Sequence, residues 1–337
     1  MLKMNQIKVC FRQIKAGTGA DVWTYNILNG LKDRYPVEGI LDFYNKNYRS
    51  VPLAPYLIKP NKVEEYDIDQ SDSIIGFNFK SKKPLIIIDQ HMVGDPVVNR
   101  YENIVKKLNR KFLLKYEKKC LDAADVIICS SESTERGLKS IFGENYNTKV
   151  IYGGVDNDIF RPVKVEKGTD KIILLFVGSP IKRKGFDLLP KIMKLLDDRF
   201  EIWYTGDEKF FEDKRIIPIG RFKPNSQEMV ELHNKADIFL FPTRLEGFGL
   251  CITEAMACGK PVITTNYSAP PELVVDGKGG FLCELDDVEE FAKKIKILAE
   301  DEALRKKMGS FNKERVSKKF TTKILGDNYY KLYKELV

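Results

Sequence analysis

Histidine and closely spaced cysteine are scarce in this sequence, and both shortages exclude classes of function. Only two histidines, His91 and His233, occur in 337 residues, which argues against a histidine-rich catalytic metal site. The six cysteines form no Cys-x-x-Cys pair, so we interpret them as reduced thiols and not as disulfides or zinc ligands. No apolar run approaches the ~20 residues of a membrane span, and residues 1–15 lack a secretory apolar stretch. The sequence therefore predicts a cytoplasmic chain.

The overall composition and the net positive charge favour a folded protein with an anionic partner. Hydrophobic residues make up 43% and charged residues 31% of the chain, enough for buried cores and a solvated surface. A length of 337 residues suggests two domains of about 150 residues each. The formal charge of +8 indicates nucleic acid, anionic lipid or a phosphorylated small molecule as a partner.

Short β-branched runs alternate with helical stretches along the whole chain, and this alternation predicts parallel sheets covered by helices. The predicted strands are Ile7–Phe11, Val37–Phe43, Ser73–Phe77, Leu85–Asp89, Val126–Cys129, Val150–Tyr152, Ile172–Val177, Glu201–Tyr204, Ile216–Ile219, Ile238–Phe241 and Val262–Thr265. The apolar runs stop in the charged segment Asp156–Thr169, which marks a domain boundary. We therefore expect an α/β fold with two doubly wound domains, residues 1–160 and 161–319, followed by a C-terminal helix in 320–337.

A glycine-rich loop between a strand and a helix is the most informative segment. It reads Glu246-Gly247-Phe248-Gly249, and a helix is predicted from Leu250 to about Cys258. Glycines let backbone amides at a helix start approach a ligand closely, and such amides attract phosphate. Glu246 and Glu254, eight positions apart, could hold a polyhydroxylated ligand between them. A glycine turn with surface glutamates is an equally weighted alternative from spacing alone.

A second strand-to-helix turn carries three consecutive cations, Lys182, Arg183 and Lys184, before Gly185. Cations between a strand end and a helix start can hold a phosphate. Taken alone, this turn is better interpreted as a solvated basic loop than as a phosphate-binding site.

Together these segments resemble the retaining glycosyltransferases of family 4, whose fold is GT-B. The strongest match is EGFGLCITEAMACGKPVI at 246–263, with supporting matches in VGSPIKRKG, VIYGGVDNDIFRP, ADVIICSSES and PPELVVDGKGGFL. The resemblance covers nearly the whole chain. It implies two Rossmann-like domains facing an interdomain cleft, an acceptor-side domain first and a donor-binding domain second, with the C-terminal helix packing back on the first domain.

The resemblance also implies roles for particular residues. His91, Lys184 and Glu246 are the candidate catalytic residues, and the candidate donor-binding residues are Gly17, Gly19, Arg183, Lys184, Arg221, Glu246, Gly247, Phe248, Gly249, Leu250 and Glu254. Within this set Glu246 is expected at the sugar hydroxyls, Glu254 at the ribose and Lys184 at the diphosphate. The sequence departs from the family at Ser179, where arginine is usual, so Arg183 is the candidate for the missing charge. Without the resemblance, a structural role is favoured over a catalytic role for His91.

The resemblance implies a metal-independent enzyme that moves a sugar from a nucleoside diphosphate sugar to a hydroxyl acceptor in polysaccharide, lipopolysaccharide or glycolipid assembly. No cofactor is expected. A UDP-sugar is the expected donor, with GDP- and ADP-sugars as alternatives, and the acceptor is a glycan, a lipid-linked group or a small molecule. A sugar-nucleotide epimerase of the same fold and a non-catalytic sugar-nucleotide binder remain alternatives. Nucleic-acid binding is disfavoured because no helix-turn-helix, RNP or KH signature occurs.

The segment Tyr101–Leu121 predicts a basic amphipathic helix, with seven Lys or Arg residues against two glutamates. Such a helix could dock on an anionic membrane surface and keep the chain at the inner face of the plasma membrane. An ordinary helix with its lysines in water is the favoured alternative.

Overall fold

The computed structural model describes residues 6–15, 17, 19–45, 54–63, 65–90, 93–101 and 104–337. The chain divides into two compact units. The first unit contains the residues up to Gly154 together with Thr322–Val337, and the second contains Val155–Thr321. The observed divisions thus fall six residues before the expected boundary at 160 and two residues after the expected one at 319.

The first unit is built on a six-stranded parallel sheet. Its strands are β1 (Ile7–Ile14), β2 (Val37–Tyr44), β3 (Ile68–Asp72), β4 (Leu85–Asp89), β5 (Val126–Cys129) and β6 (Thr148–Val150), in the order β2-β1-β3-β4-β5-β6. The helices before residue 155 are α1 (Gly19–Leu31), α2 (Pro96–Asn99), α3 (Ile104–Ala123) and α4 (Glu132–Phe142), with 3₁₀ turns at Ala54–Leu57 and Gly76–Phe79. The order of the strands reverses between β1 and β3, so a ligand crevice is expected there.

The predicted strand Ser73–Phe77 is wrong, because the strand at this point of the chain is β3, five residues earlier. β3 consists mainly of polar residues, so a search for apolar runs does not detect it. Asp69 is buried in β3 and accepts a hydrogen bond of 2.7 Å from Nε of Arg12, which also pairs with Asp42 at 2.6 Å. Tertiary pairing therefore stabilises a strand whose own sequence does not predict one.

The second unit contains another six-stranded parallel sheet. Its strands are β7 (Ile172–Phe176), β8 (Phe200–Tyr204), β9 (Ile216–Pro218), β10 (Ile238–Phe241), β11 (Val262–Thr265) and β12 (Gly280–Cys283), in the order β12-β11-β10-β7-β8-β9. Its helices are α5 (Leu189–Met193), α6 (Gln227–Lys235), α7 (Leu250–Ala257), α8 (Pro270–Leu273), α9 (Val288–Glu300) and α10 (Glu302–Lys319), with 3₁₀ turns at Lys182–Lys184 and Phe186–Leu188. This is the doubly wound order, which reverses between β7 and β10. Two parallel sheets flanked by helices confirm the predicted α/β class.

The last helix, α11 (Thr322–Leu336), packs on α1 within the first unit. The two helices approach so closely at Gly30 and Gly326 that a Cβ on Gly326 would lie 2.2 Å from the Gly30 carbonyl oxygen. Farther along α11, the hydroxyl of buried Tyr333 donates to Oε1 of Gln70 at 2.8 Å. Backbone contact between two glycines and a buried hydrogen bond therefore anchor the end of the chain.

All six cysteines are free thiols. Among the helices the structure describes, none combines the length and the apolar character that a bilayer crossing requires.

Candidate functional site

Two loops meet at the point where the second sheet reverses its order. One follows β7 and carries the cations, and the other follows β10 and carries Glu246. Gly185 permits their approach: its φ is +73°, and a Cβ there would lie 1.8 Å from the carbonyl oxygen of Pro242. Any other residue would be strained and would push the loops apart. The glycine after Lys184 thus sets the distance between the two halves of the site.

Glu246 is the centre of the charge cluster. Its side chain is buried, and Oε1 lies 2.5 Å from Nζ of Lys184 and 3.5 Å from Nη1 of Arg183. The hydroxyl of Thr243 donates to the same oxygen at 3.0 Å. Burial alone would raise the pKa of Glu246, but Lys184 and Arg183 outweigh burial and lower this pKa below its usual value. The carboxylate is therefore ionised at neutral pH, and the cluster carries one net positive charge.

Further hydrogen bonds clamp the loops together. The backbone amide of Arg244 donates to the carbonyl of Arg183 at 2.8 Å. The guanidinium of Arg244 is buried and pairs with Asp187 and Asp286, both at 2.6 Å. Ser268 holds the backbone of Glu246, because its hydroxyl accepts from the amide at 2.9 Å and donates to the carbonyl at 3.0 Å. The position of the carboxylate is thus fixed before any ligand arrives.

Helix α7 begins beside this cluster. Gly249 precedes it with a φ of +102°, and no side chain there caps the first turn among the described residues. Uncapped amides at a helix start and the helix dipole together favour an anion. Glu254 lies one turn into α7, and its side chain is 15% exposed. The buried Gly247 and Phe248 complete the loop before α7.

Four further predicted site residues remain, and the structure describes three of them. Arg221 follows β9 and pairs with Asp207 at 2.9 Å, and its side chain is 74% exposed. Gly17 and Gly19 belong to the first unit, where the Gly17 amide donates to Asp21 at 2.5 Å and Gly19 begins α1. His91 lies outside the described residues. The structure thus brings Lys184, Arg183 and Glu246 together.

The first unit has an open cleft where its strand order reverses, lined by residues of β1, β3 and α1. Gln13, Thr24, Gln70 and Ser73 supply much of its polar lining. The Thr24 hydroxyl donates to Oε1 of Gln13 at 2.6 Å, whereas Nε2 of buried Gln70 has no hydrogen-bond partner among the described residues. The lining of the cleft therefore offers hydroxyl and amide groups for hydrogen bonds to a ligand.

Sequence reasoning missed the groups that hold Glu246, namely Thr243 and Ser268. Thr243 follows β10 and Ser268 follows the neighbouring strand β11, and position after a strand end was the only signal available. His233 is not among the predicted site residues either, although its Nε2 lies 3.6 Å from Oε2 of Glu254.

Among the described residues, no three His, Cys, Asp or Glu side chains are grouped as metal ligands. The sequence Asp67-Ile68-Asp69 has the Asp-x-Asp spacing that can bind a metal, but Asp69 pairs with Arg12, and Asp67 accepts from the backbone amide of Lys8 at 2.7 Å.

Comparison with known proteins relates the second unit to a known family. Residues 157–315 match the family model of the glycosyl transferases group 1. An uncharacterised glycosyltransferase of Methanocaldococcus jannaschii is 33% identical over 225 residues, which are 63% of this chain and 60% of that protein. CapM, a capsular polysaccharide biosynthesis glycosyltransferase of Staphylococcus aureus, is 27% identical over 240 residues, 64% of this chain and 63% of CapM. The matched segments thus span less than two thirds of either relative. The matched segment 157–315, which makes up nearly all of the second unit, is thus a domain of the glycosyl transferases group 1.

Solved structures agree on the fold. Sucrose-phosphate synthase of Thermosynechococcus elongatus superposes with a TM-score of 0.81 at 17% identity, over 97% of this chain and 98% of that one. HepE of Anabaena, solved with UDP-glucose, gives 0.77 at 18% identity, over 98% of this chain and 100% of that one. The fold is therefore GT-B.

Proposed function

We propose that this chain transfers a sugar from a nucleoside diphosphate sugar to a hydroxyl acceptor with retention of configuration. The observation that carries the proposal is the pair of cations, Lys184 and Arg183, around the buried carboxylate of Glu246 beside the uncapped start of α7. This arrangement suits a diphosphate next to a sugar, because cations and amides meet the phosphates while a carboxylate accepts from sugar hydroxyls.

The proposed reaction breaks the bond between the sugar's anomeric carbon and the diphosphate, and the electron pair goes to the phosphate oxygen. Lys184, Arg183 and the α7 amides stabilise the charge that develops there. Two protein cations can supply the charge that a divalent metal supplies in other transferases, so we propose a metal-independent step without a cofactor. The acceptor oxygen bonds to the same face of the anomeric carbon, and its proton passes to the leaving phosphate.

The donor contacts follow the same logic. Glu246 would accept from sugar hydroxyls, Glu254 from the ribose, and Arg221 would border the base. UDP is the favoured nucleotide, supported by the UDP-glucose in HepE, with GDP and ADP as alternatives. For Gly17, Gly19 and His91 the proposal rests on the family resemblance.

The acceptor would enter the cleft of the first unit. Its lining offers amides, hydroxyls and the carboxylate of Asp72, and none of the described residues that line it is a cation. A neutral hydroxyl-bearing group fits such a lining better than a phosphate does. A glycan acceptor in polysaccharide assembly agrees with the function named for CapM.

A membrane surface is a second proposed partner. Helix α3 buries Arg110, whereas Lys115, Lys119 and Phe112 lie on its exposed side. Nearby, Leu57 is 71% exposed, in the turn whose Tyr56 ring lies 4.6 Å from Nζ of Lys119. Lysines beside exposed apolar side chains suit an anionic interface.

Release of nucleoside diphosphate from a panel of UDP-, GDP- and ADP-sugars tests the proposed transfer. We expect turnover with one class of donor. The Glu254→Ala variant should reduce this turnover at least tenfold, and its thermal melt should show that it is still folded. Binding without release, even with glycan acceptors present, would favour the non-catalytic alternative. Conversion of the free nucleotide sugar to its epimer would favour the epimerase.

Co-sedimentation with neutral and anionic vesicles at low salt tests the membrane surface. We expect recovery with anionic vesicles that the Leu57→Ser/Phe112→Ser variant loses. Leu195→Ser is the matched control, because Leu195 is 39% exposed in the second unit. Equal recovery with both vesicle types would refute this surface.

A further inference from the structure

His233 is a buried polar residue whose hydrogen-bonding groups are unused. It lies on α6 and is 0% exposed. Within the part of the chain that the structure describes, neither Nδ1 nor Nε2 has a hydrogen-bond partner. An unmet buried donor or acceptor destabilises a fold. The imidazole therefore needs an explanation other than the filling of space.

Its neighbours show which edge of the ring is available. The rings of Phe160 and Phe239 lie 5.8 and 5.7 Å from the imidazole, the first edge-on and the second tilted. The Nε2 edge points towards Glu254, with Oε2 at 3.6 Å. That separation is only slightly longer than a hydrogen bond, so a small shift of either side chain would close it.

A purely structural role would be served better by another residue. Phenylalanine would pack its ring against the same two aromatic side chains and leave no unmet polar atom. Hydrogen bonds in an active site commonly tighten only when the ligand is bound. The presence of a histidine here is thus explained if its N–H donates a hydrogen bond once a ligand is bound.

We propose that His233 is a positioning residue for Glu254. When a ribose donates its hydroxyls to the carboxylate, the Nε2–H of His233 donates to Oε2 and fixes the orientation of the carboxylate. This inference rests on the proposed function, because it assumes that Glu254 receives the ribose of the donor. It adds His233 as the residue that orients Glu254, although His233 itself does not contact the ligand.

The proposal predicts an effect that depends on the ribose. His233→Phe keeps an aromatic ring and removes the donor, so it should weaken nucleoside diphosphate binding about tenfold. It should leave the affinity for the 2′,3′-dideoxy nucleotide unchanged, since that ligand has no hydroxyl for Glu254. His233→Gln restores a donor and should recover part of the loss.

Calorimetry on the full chain with UDP, GDP and ADP, followed by the dideoxy form of whichever nucleotide binds, measures these affinities. Glu254→Ala completes the comparison, because His233→Phe should have no further effect in that background. Equal losses for the ribose and dideoxy nucleotides, or no loss at all, would overturn the inference while the proposed function stands. If the unaltered chain binds none of the three nucleotides, the proposed function itself fails.

Labelling needs no substitution at His233. The chain has two histidines, so ¹⁵N-histidine gives signals from two imidazoles, and His91→Gln assigns them. We expect the Nε2 signal of His233 to move with the ribose nucleotide and to stay in place with the dideoxy form. Identical responses to both ligands would overturn the inference even if His233→Phe did not fold.

Discussion

Replacement of Lys184 by alanine is the most direct test of the charge cluster. Nζ of Lys184 lies 2.5 Å from Glu246 Oε1, and the side chain is 17% exposed, so the contact is largely shielded from water. The alanine variant removes the nearer of the two cations and leaves Arg183 at 3.5 Å. The diphosphate would then lose its strongest partner as its negative charge grows.

The magnitude follows from these contacts. Removal of one preorganised group that faces developing charge lowers kcat by about 10²–10³, and we expect Lys184→Ala to fall in that range. Breaking a fully buried ion pair costs about 3–5 kcal/mol. Glu246 keeps Arg183 and the hydroxyl of Thr243, so we expect a smaller loss in the free energy of unfolding, about 1–2 kcal/mol.

The assay is nucleoside diphosphate release under saturating donor, together with urea unfolding of each variant. Lys182→Ala is the matched control, because it removes the same charge from the same turn while its side chain is exposed. We expect the control to retain activity within about twofold, since exposed charges contribute little. A folded Lys184→Ala variant that turns over at the unaltered rate would refute the proposed diphosphate site.

Three further predictions concern residues outside the charge cluster itself. Arg12→Met should lower the free energy of unfolding by about 3–5 kcal/mol in urea titrations, because the buried Asp42 and Asp69 lose their cation; a loss below 1 kcal/mol would contradict this. Burial, aided by nearby Asp89, raises the pKa of Glu117 well above its usual value. The native state therefore binds the proton more tightly, and its stability should fall as pH rises from about 4.3 towards that raised pKa. Glu117→Gln should abolish the fall, and unchanged pH dependence of the melting temperature would count against the assignment. Gly185→Ala should lower both melting temperature and nucleotide affinity, because its Cβ would collide with a carbonyl oxygen at a positive φ; wild-type affinity would show that the loops need not approach.

The sequence predicts the strand–turn–helix arrangement around Glu246 well, because glycine, proline and apolar runs mark each boundary there. Strand β10 and the start of α7 lie where they were expected. In the first unit the prediction fails at β3, whose buried Asp69 reads as a polar loop until Arg12 is known to face it. Local pattern therefore predicts elements bounded by backbone signals, and it misses elements stabilised by partners distant in the chain.

The same reasoning explains which site groups escaped prediction. Lys184 and Glu246 are 62 positions apart and could be paired only through the family resemblance. Ser268 reaches Glu246 because β11 lies next to β10, a fact that depends on strand order. Hydrogen bonds between loops of neighbouring strands depend on topology, which one sequence encodes only indirectly.

Glu246 has a further consequence for the electrostatics of the site. Without a ligand it neutralises one of two cations, so Lys184 and Arg183 can stay in a buried loop with a single net charge. A diphosphate that enters meets cations already held in place, and little reorganisation is needed when the leaving oxygen gains charge. Glu246→Gln should therefore not raise the free energy of unfolding, because the like charges of Lys184 and Arg183 then remain close together without a carboxylate between them. It should also tighten the binding of free nucleoside diphosphate, which no longer competes with a carboxylate for Lys184, while it reduces turnover. Weaker nucleoside diphosphate binding in a folded Glu246→Gln variant would show that the carboxylate organises the cations and does not compete for them.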